Sequence, residues 1–191
     1  MKITSSIALL AVSTAALSFS NSALAQQKLI PAQSEISFVT KQMGVPLDGH
    51  FKKFDAQINF DTAKPDAAKI AFTVDSGSAT LGAPESDAEL PKAAWFNVAK
   101  FPQATFQSSS VKALGGGKYE VTGKLTIKGN IKDIDVPVAL TQANGVTTAT
   151  GQFALKRLAY KIGEGEWADT SMVADDVQVK FKLAISGMGK F

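Results

Sequence analysis

The chain has 191 residues, with 20 basic and 17 acidic side chains, one histidine and no cysteine. Charges this evenly balanced, without a clustered Lys/Arg stripe, exclude the phosphate-neutralising surface of a nucleic-acid binder. The absence of cysteine and the lone His50 exclude a disulfide scaffold, a Cys nucleophile, a His-based triad and a multi-histidine metal site.

Met1 and Lys2 precede an apolar run from Ile7 to Phe19 and a small-residue exit at Ala23-Leu24-Ala25. This is the pattern of a cleavable secretory signal peptide, residues 1–25, and the run is too short for a helix across the ~30 Å core of a bilayer. Residues 26–191 are expected to form one exported domain, free in the periplasm of a two-membrane host and without a transmembrane segment.

From there the chain is written in twos. Ser34 to Lys41 reads as a strand with Ile36, Phe38 and Thr40 on one side, and Asp48-Gly49 reads as the turn after it. Phe54, Ala56, Ile58 and Phe60 alternate with polar residues, and Ile70, Phe72 and Val74 follow a loop at Pro65. Between Thr80 and Phe101 the period breaks, and Pro84, Glu85, Asp87 and Glu89 predict short helical turns near 84–98. Ala104, Phe106 and Ser108 restart the sheet, and Gly115-Gly116-Gly117 predicts a hairpin into Tyr119, Val121, Gly123, Leu125 and Ile127. A turn near Gly129-Asn130 leads to Ile134, Val136, Val138 and Leu140, and Asn144-Gly145 leads to a strand over 146–155. An acidic, Gly-rich loop from Arg157 to Asp175 precedes the last strand, where Val177, Val179, Phe181, Leu183 and Ile185 share one face.

Eight strands of one apolar face each, with no βαβ spacing, predict an all-β fold closed into an antiparallel barrel, with a two-sheet sandwich as the fallback. The inward set is Phe38, then Ile58 and Phe60, Phe72 and Val74, Phe106, Leu125 and Ile127, Val136 and Val138, Phe153 and Leu155, and finally Val179, Phe181 and Leu183. Tyr160 and Trp167 join it from the loop. A barrel of this size is plugged by its own side chains or holds one small ligand, and periodicity leaves both readings open. A ligand would be elongated and apolar, with any charged head at the mouth.

The other candidates for chemistry read as structure. Lys118 after the glycines is followed by Tyr119 and a strand, whereas a phosphate loop needs Ser/Thr and a helix. His50 reads as an exposed turn residue, and Glu164, Glu166, Asp169, Asp175 and Asp176 as a solvated acidic loop whose spacing matches no EF-hand. No G-x-S-x-G elbow occurs, so an enzyme would have to work through paired carboxylates. An outer-membrane barrel would share the export signal and the terminal Phe191, but two Trp and two Tyr cannot furnish interfacial girdles.

Several stretches together resemble the YceI-like family, lipocalin-like periplasmic polyisoprenoid-binding proteins. They are Ser34-Glu35-Ile36-Ser37-Phe38, Gly49-His50-Phe51-Lys52-Lys53-Phe54, Trp95-Phe96 with Lys100-Phe101-Pro102, and Val121-Thr122-Gly123-Lys124-Leu125-Thr126-Ile127-Lys128-Gly129. Phe153-Ala154-Leu155-Lys156-Arg157 with Ile162-Gly163, and Trp167 with Val177, complete them in the same order along the chain. The resemblance implies an eight-stranded lipocalin-like barrel with a helical insertion near 84–98, enclosing an apolar tunnel for an isoprenoid, quinone-like or other long-chain lipid. It implies a carrier or sequestering protein with no established enzymatic activity, no cofactor beyond the lipid, and room for a homodimer. Leu158-Ala159-Tyr160 departs from the family's acidic-aromatic run and leaves two roles for Arg157, steadying the barrel or facing a lipid head. A packed, non-catalytic interaction module and a carboxylate-dependent hydrolase are the alternatives.

Overall fold

The structure is a computed structural model and describes residues 26–190; the expected signal peptide and Phe191 lie outside the described residues. Among the described residues there are eleven strands and one short α-helix: β1 (Lys28–Leu29), β2 (Glu35–Gln42), β3 (Val45–Phe51), β4 (Phe54–Asn59), β5 (Lys69–Asp75), β6 (Ala79–Thr80), α1 (Pro84–Glu89), β7 (Gln103–Gly115), β8 (Lys118–Ile127), β9 (Asn130–Ala143), β10 (Val146–Lys156) and β11 (Asp176–Ser186).

Eight staves emerge when the broken strands are joined. β1 and β2 form one stave interrupted by the 3-10 turn Pro31–Gln33, and β3 and β4 form the next, interrupted at Lys52 and Lys53. β2 pairs antiparallel with β3, and β1 with β4. β5, β7, β8, β9, β10 and β11 follow in order, each antiparallel to the last, and the far edge of β11 returns to β2 and β1. The result is the closed eight-stranded antiparallel barrel that the alternation predicts, in which each stave pairs with both of its neighbours over part of its length. The two-residue β6 lies outside the ring, against His50 and Phe51 of β3.

Side-chain polar groups repair the places where the ladder breaks. The Ser34 hydroxyl accepts from Ala184 N–H at 2.9 Å and donates to the Ile30 carbonyl at 2.8 Å, filling the gap between β1 and β2. The Gln27 amide does the same beyond β4, donating to Phe60 O at 2.6 Å and accepting from Phe60 N–H at 2.9 Å. Backbone groups at the seam therefore keep partners that the sheet itself does not supply.

Two of the predicted turns move. Chain reversal before β3 occurs at Met43-Gly44 (φ 49° and 82°), and Asp48-Gly49 lies inside the strand, opposite Val39 and Phe38. The reason is steric: a Cβ on Gly49 would stand 2.3 Å from Phe38 Cζ, so this glycine makes room for a ring instead of a turn. The reversal between β8 and β9 is at Lys128-Gly129 (φ 49° and 74°), with Asn130 already paired to Ile127. Asn144-Gly145 turns as predicted, all three being two-residue links with both residues left-handed, and the Gly115–Gly117 segment is a hairpin. Of the excursion near 84–98, only α1 is helical, and turns carry the rest.

The Gly49 arrangement recurs. Gly151 faces Phe181, whose Cζ would lie 2.4 Å from an added Cβ, and Gly123 lies under Phe106, at 2.5 Å. Three inward rings thus lie against bare backbone on the neighbouring strand, leaving the barrel axis clear. Gly49→Ala is expected to destabilise the protein by about 1–3 kcal/mol, because the Phe38 ring must turn inward. Adding Phe38→Leu should recover much of that loss in a urea-unfolding double-mutant cycle; an additive result would remove the ring as the cause.

Candidate functional site

The lumen contains two adjoining chambers of about 200 and 170 Å³. The first is walled wholly by apolar atoms, from Ile36 of β2 and Phe51 of β3, from β4, β5 and β7 through β11, and from Phe60, Phe96 and Met188 outside the strands. The second lies toward α1 and the loop after β10, and its wall includes Thr40, Gln42, Ser86, Glu89 and Arg157 as well as apolar side chains. Phe51, Phe96, Ile127, Leu155 and Val179 line both chambers and form the partition between them. Phe51 packs tilted against Phe38, centroids 5.4 Å apart, and edge-on against Phe96 at 6.0 Å.

The predicted inward residues fall as follows. Ile58, Phe60, Phe72, Val74, Phe106, Leu125, Val136, Val138, Phe153, Phe181 and Leu183 line the first chamber, Ile127, Leu155 and Val179 line both, and Phe38 and Trp167 line the second. Tyr160 lines neither. It ends the 3-10 turn Arg157–Tyr160, where the strand period has stopped, and it is buried against neighbours such as Leu125 and Ile162 with its hydroxyl unpartnered. Burial pushes the Tyr160 phenol up from its ordinary pKa.

The sequence reading missed Phe51 because Asp48-Gly49 looked like a turn; with the turn at Met43-Gly44, Leu47, Gly49 and Phe51 become the inward series. Phe96 reaches the lumen from the excursion, where no period signals direction, with its N–H bonded to Leu90 O at 3.0 Å. Met188 enters the first chamber after Gly187 (φ 79°) turns the tail across the barrel end, where the Gln142 amide donates to the carbonyls of Met188 and Gly189.

Arg157 has a structural assignment. It is 2% exposed, and all five of its N–H groups are spent on main-chain carbonyls: Ala174 from Nε, Ile162 and Gly163 from Nη1, Trp167 and Val173 from Nη2, at 2.7 to 3.0 Å. Burial lowers the guanidinium's pKa, and the nearby Asp175 carboxylate opposes that shift. No donor remains for a head group, so of the two roles left open by the sequence the structure gives Arg157 the first, as the staple of the loop between β10 and β11.

A second cation closes the same end. Lys128, buried in the turn between β8 and β9, donates to Glu164 Oε2 at 2.8 Å and to Lys161 O at 2.6 Å. Ala94 O in the excursion accepts from Gly163 N–H and Glu164 N–H, so three separate loops meet there. The acidic loop is correspondingly less free than its composition suggests. Asp175 caps Leu158 N–H, Asp169 holds Ser171, Asp176 pairs with Lys156, and Glu164 with Lys128. His50 is exposed as expected, though on a strand instead of a turn, and among the described residues no three His, Asp or Glu side chains converge as a metal site.

Arg157→Lys cannot reproduce a five-donor fork, and the expected loss is about 3 kcal/mol of unfolding free energy, measured by urea titration. The hydrogen bond from Lys128 holds the Glu164 carboxyl below its ordinary pKa, and the bonds from Thr80 and Leu81 do the same for Asp87. Depressed carboxylates contribute stability that is present above the unfolded-state pKa, about 4, and that is lost as pH falls through the lower folded values. Glu164→Gln should therefore lower the neutral side of a plot of urea midpoint against pH and, with that contribution gone, flatten the fall on the acid side.

Comparison with known proteins agrees with this geometry. The model of the YceI-like domain matches residues 28–185. Protein YceI of Salmonella arizonae is 37% identical over 137 residues, covering 69% of this chain and 71% of its own. A UPF0312 protein of Ectopseudomonas mendocina is 36% identical over 116 residues, which span 59% of this chain and 61% of the relative's length. The crystal structure of Burkholderia cenocepacia BcnA superposes with a TM-score of 0.79 at 46% identity, covering 82% of this chain and 98% of that one. A polyisoprenoid-binding domain from Saccharophagus degradans shares the fold alone, with a TM-score of 0.68 at 16% identity over 85% of this chain and 98% of its own. From the match over nearly the whole barrel, this chain belongs to the YceI-like family.

Proposed function

We propose that this protein is a periplasmic carrier that sequesters one isoprenoid or similar long-chain amphiphile inside its barrel, without chemical conversion of it. The observation that carries the reading is the first chamber, an open lumen of about 200 Å³ walled entirely by apolar atoms. Such a cavity offers nothing to water and everything to a hydrocarbon chain, since each methylene removed from water contributes ~0.8 kcal/mol. The family membership and the polyisoprenoid-binding description of the Saccharophagus degradans domain support the same class of ligand. Export to the periplasm follows the signal-peptide pattern of residues 1–25, and no helix among the described residues is long and apolar enough to cross a membrane.

Native mass spectrometry of protein released from its own periplasm without detergent tests this directly. One isoprenoid-like lipid per chain, identified in the organic extract, is the expected result; an apo mass that stays unchanged after incubation with polyprenyl lipids would overturn it. Phe72→Asp or Phe181→Asp places a carboxylate in the apolar wall and should abolish lipid retention, whereas Glu166→Ala on the exposed loop should leave it intact.

A further inference from the structure

The second chamber differs from the first in the kind of polarity it carries. Its only cation, Arg157, has all five donors committed to carbonyls, and its only carboxylate, Glu89, is paired with Lys92. Lys41, next to the lining residue Gln42, belongs to the opposite face of β2 by strand alternation, and Lys128 is committed to Glu164. Against this saturated charge stand two buried atoms in the chamber's wall residues with no hydrogen-bond partner, the Thr40 hydroxyl and the Trp95 indole N–H. Gln42 and Ser86 add further uncharged donors and acceptors.

We propose that this chamber is the head-group compartment of the ligand, built for an uncharged hydrogen-bonding end, a hydroxyl or a carbonyl, and closed to phosphate. The inference rests on the lipid-carrier reading and deepens it. The apolar tail lies in the first chamber, and the ligand crosses the Phe51 and Phe96 partition to bring its head against Thr40 and Trp95. A phosphate monoester at the same place would bury two charges without one free cation to meet them, in a wall that already holds a carboxylate. A neutral hydroxyl or carbonyl, by contrast, completes hydrogen bonds that the empty protein leaves unmade.

Both tryptophans of the chain, Trp95 and Trp167, line this chamber with ring centroids 5.5 Å apart, so intrinsic fluorescence reports on its occupancy. The experiment titrates delipidated mature protein with geranylgeraniol and geranylgeranyl monophosphate, which differ only in the head, and with phytane, the saturated hydrocarbon of the same branched carbon skeleton without a head. Fluorescence follows the second chamber, and displacement of a fluorescent fatty acid follows binding itself. Geranylgeraniol should bind at least about tenfold more tightly than the monophosphate and perturb tryptophan emission more than phytane does. Thr40→Val keeps the shape of the wall and should weaken geranylgeraniol about threefold to tenfold while leaving phytane unchanged; Trp95→Phe is the second variant, read by displacement. Equal or tighter binding of the monophosphate, or geranylgeraniol binding that neither substitution weakens, overturns the head-group assignment and leaves the carrier reading standing. Failure of all three ligands to bind overturns both.

Discussion

The barrel stays hollow because three large rings have somewhere else to go. Phe38, Phe106 and Phe181 point inward, and an eight-stranded barrel filled with rings at its axis would leave no room for anything else. Each instead lies over a glycine on a neighbouring strand, Gly49, Gly123 and Gly151, at distances that admit no Cβ. The same contacts restore the packing that a strand glycine lacks, and they fix register, since a one-residue slip would set each ring against a side chain. Stability and cavity thus arise from one arrangement: the ring area is buried in the wall layer, and the axis is left to a ligand.

The two ends of the lumen are finished differently. At one, the tail after β11 folds over with Met188, an apolar closure continuous with the first chamber. At the other, charge is buried for structural purposes. Arg157 and Lys128 draw the turn between β8 and β9, the excursion around Ala94 and the loop of residues 157–175 into one hub. A buried guanidinium without a carboxylate in contact is stable here because five carbonyl dipoles point at it, and those carbonyls would otherwise be the unsatisfied ends of an irregular loop. Charge so committed is invisible to a ligand, which is how a cation comes to line a chamber without making it a phosphate site.

The staves were legible in the sequence because their signal is redundant: in β11, five alternate apolar residues agree, and no single substitution would hide the pattern. The lining residues on such strands were legible for the same reason. What escaped was whatever depends on a partner strand. Gly49 looks like a turn until Phe38 is set opposite it, and Phe51 was lost with it. Phe96 and Tyr160 lie where the period has stopped, so their side-chain directions follow from loop contacts alone, and the sequence offered equal grounds for placing Tyr160 in the lumen and Phe96 outside it. Arg157 carried two readings because its five partners are all backbone, and backbone acceptors leave no trace in residue identity.

A wall made only of apolar atoms has a consequence for selectivity. Each methylene adds the same small increment wherever it lies, so chains of similar length differ little in affinity, and a shape-tolerant tunnel cannot choose sharply among tails. Discrimination has to come from polar groups that are left unpaired by the wrong ligand, because a missing hydrogen bond inside a dry cavity costs more than a missing methylene. The division of the lumen by Phe51 and Phe96 separates these two tasks. One chamber supplies affinity without discrimination, and the other holds the few polar atoms, Thr40 and Trp95 among them, at which one head can be told from another.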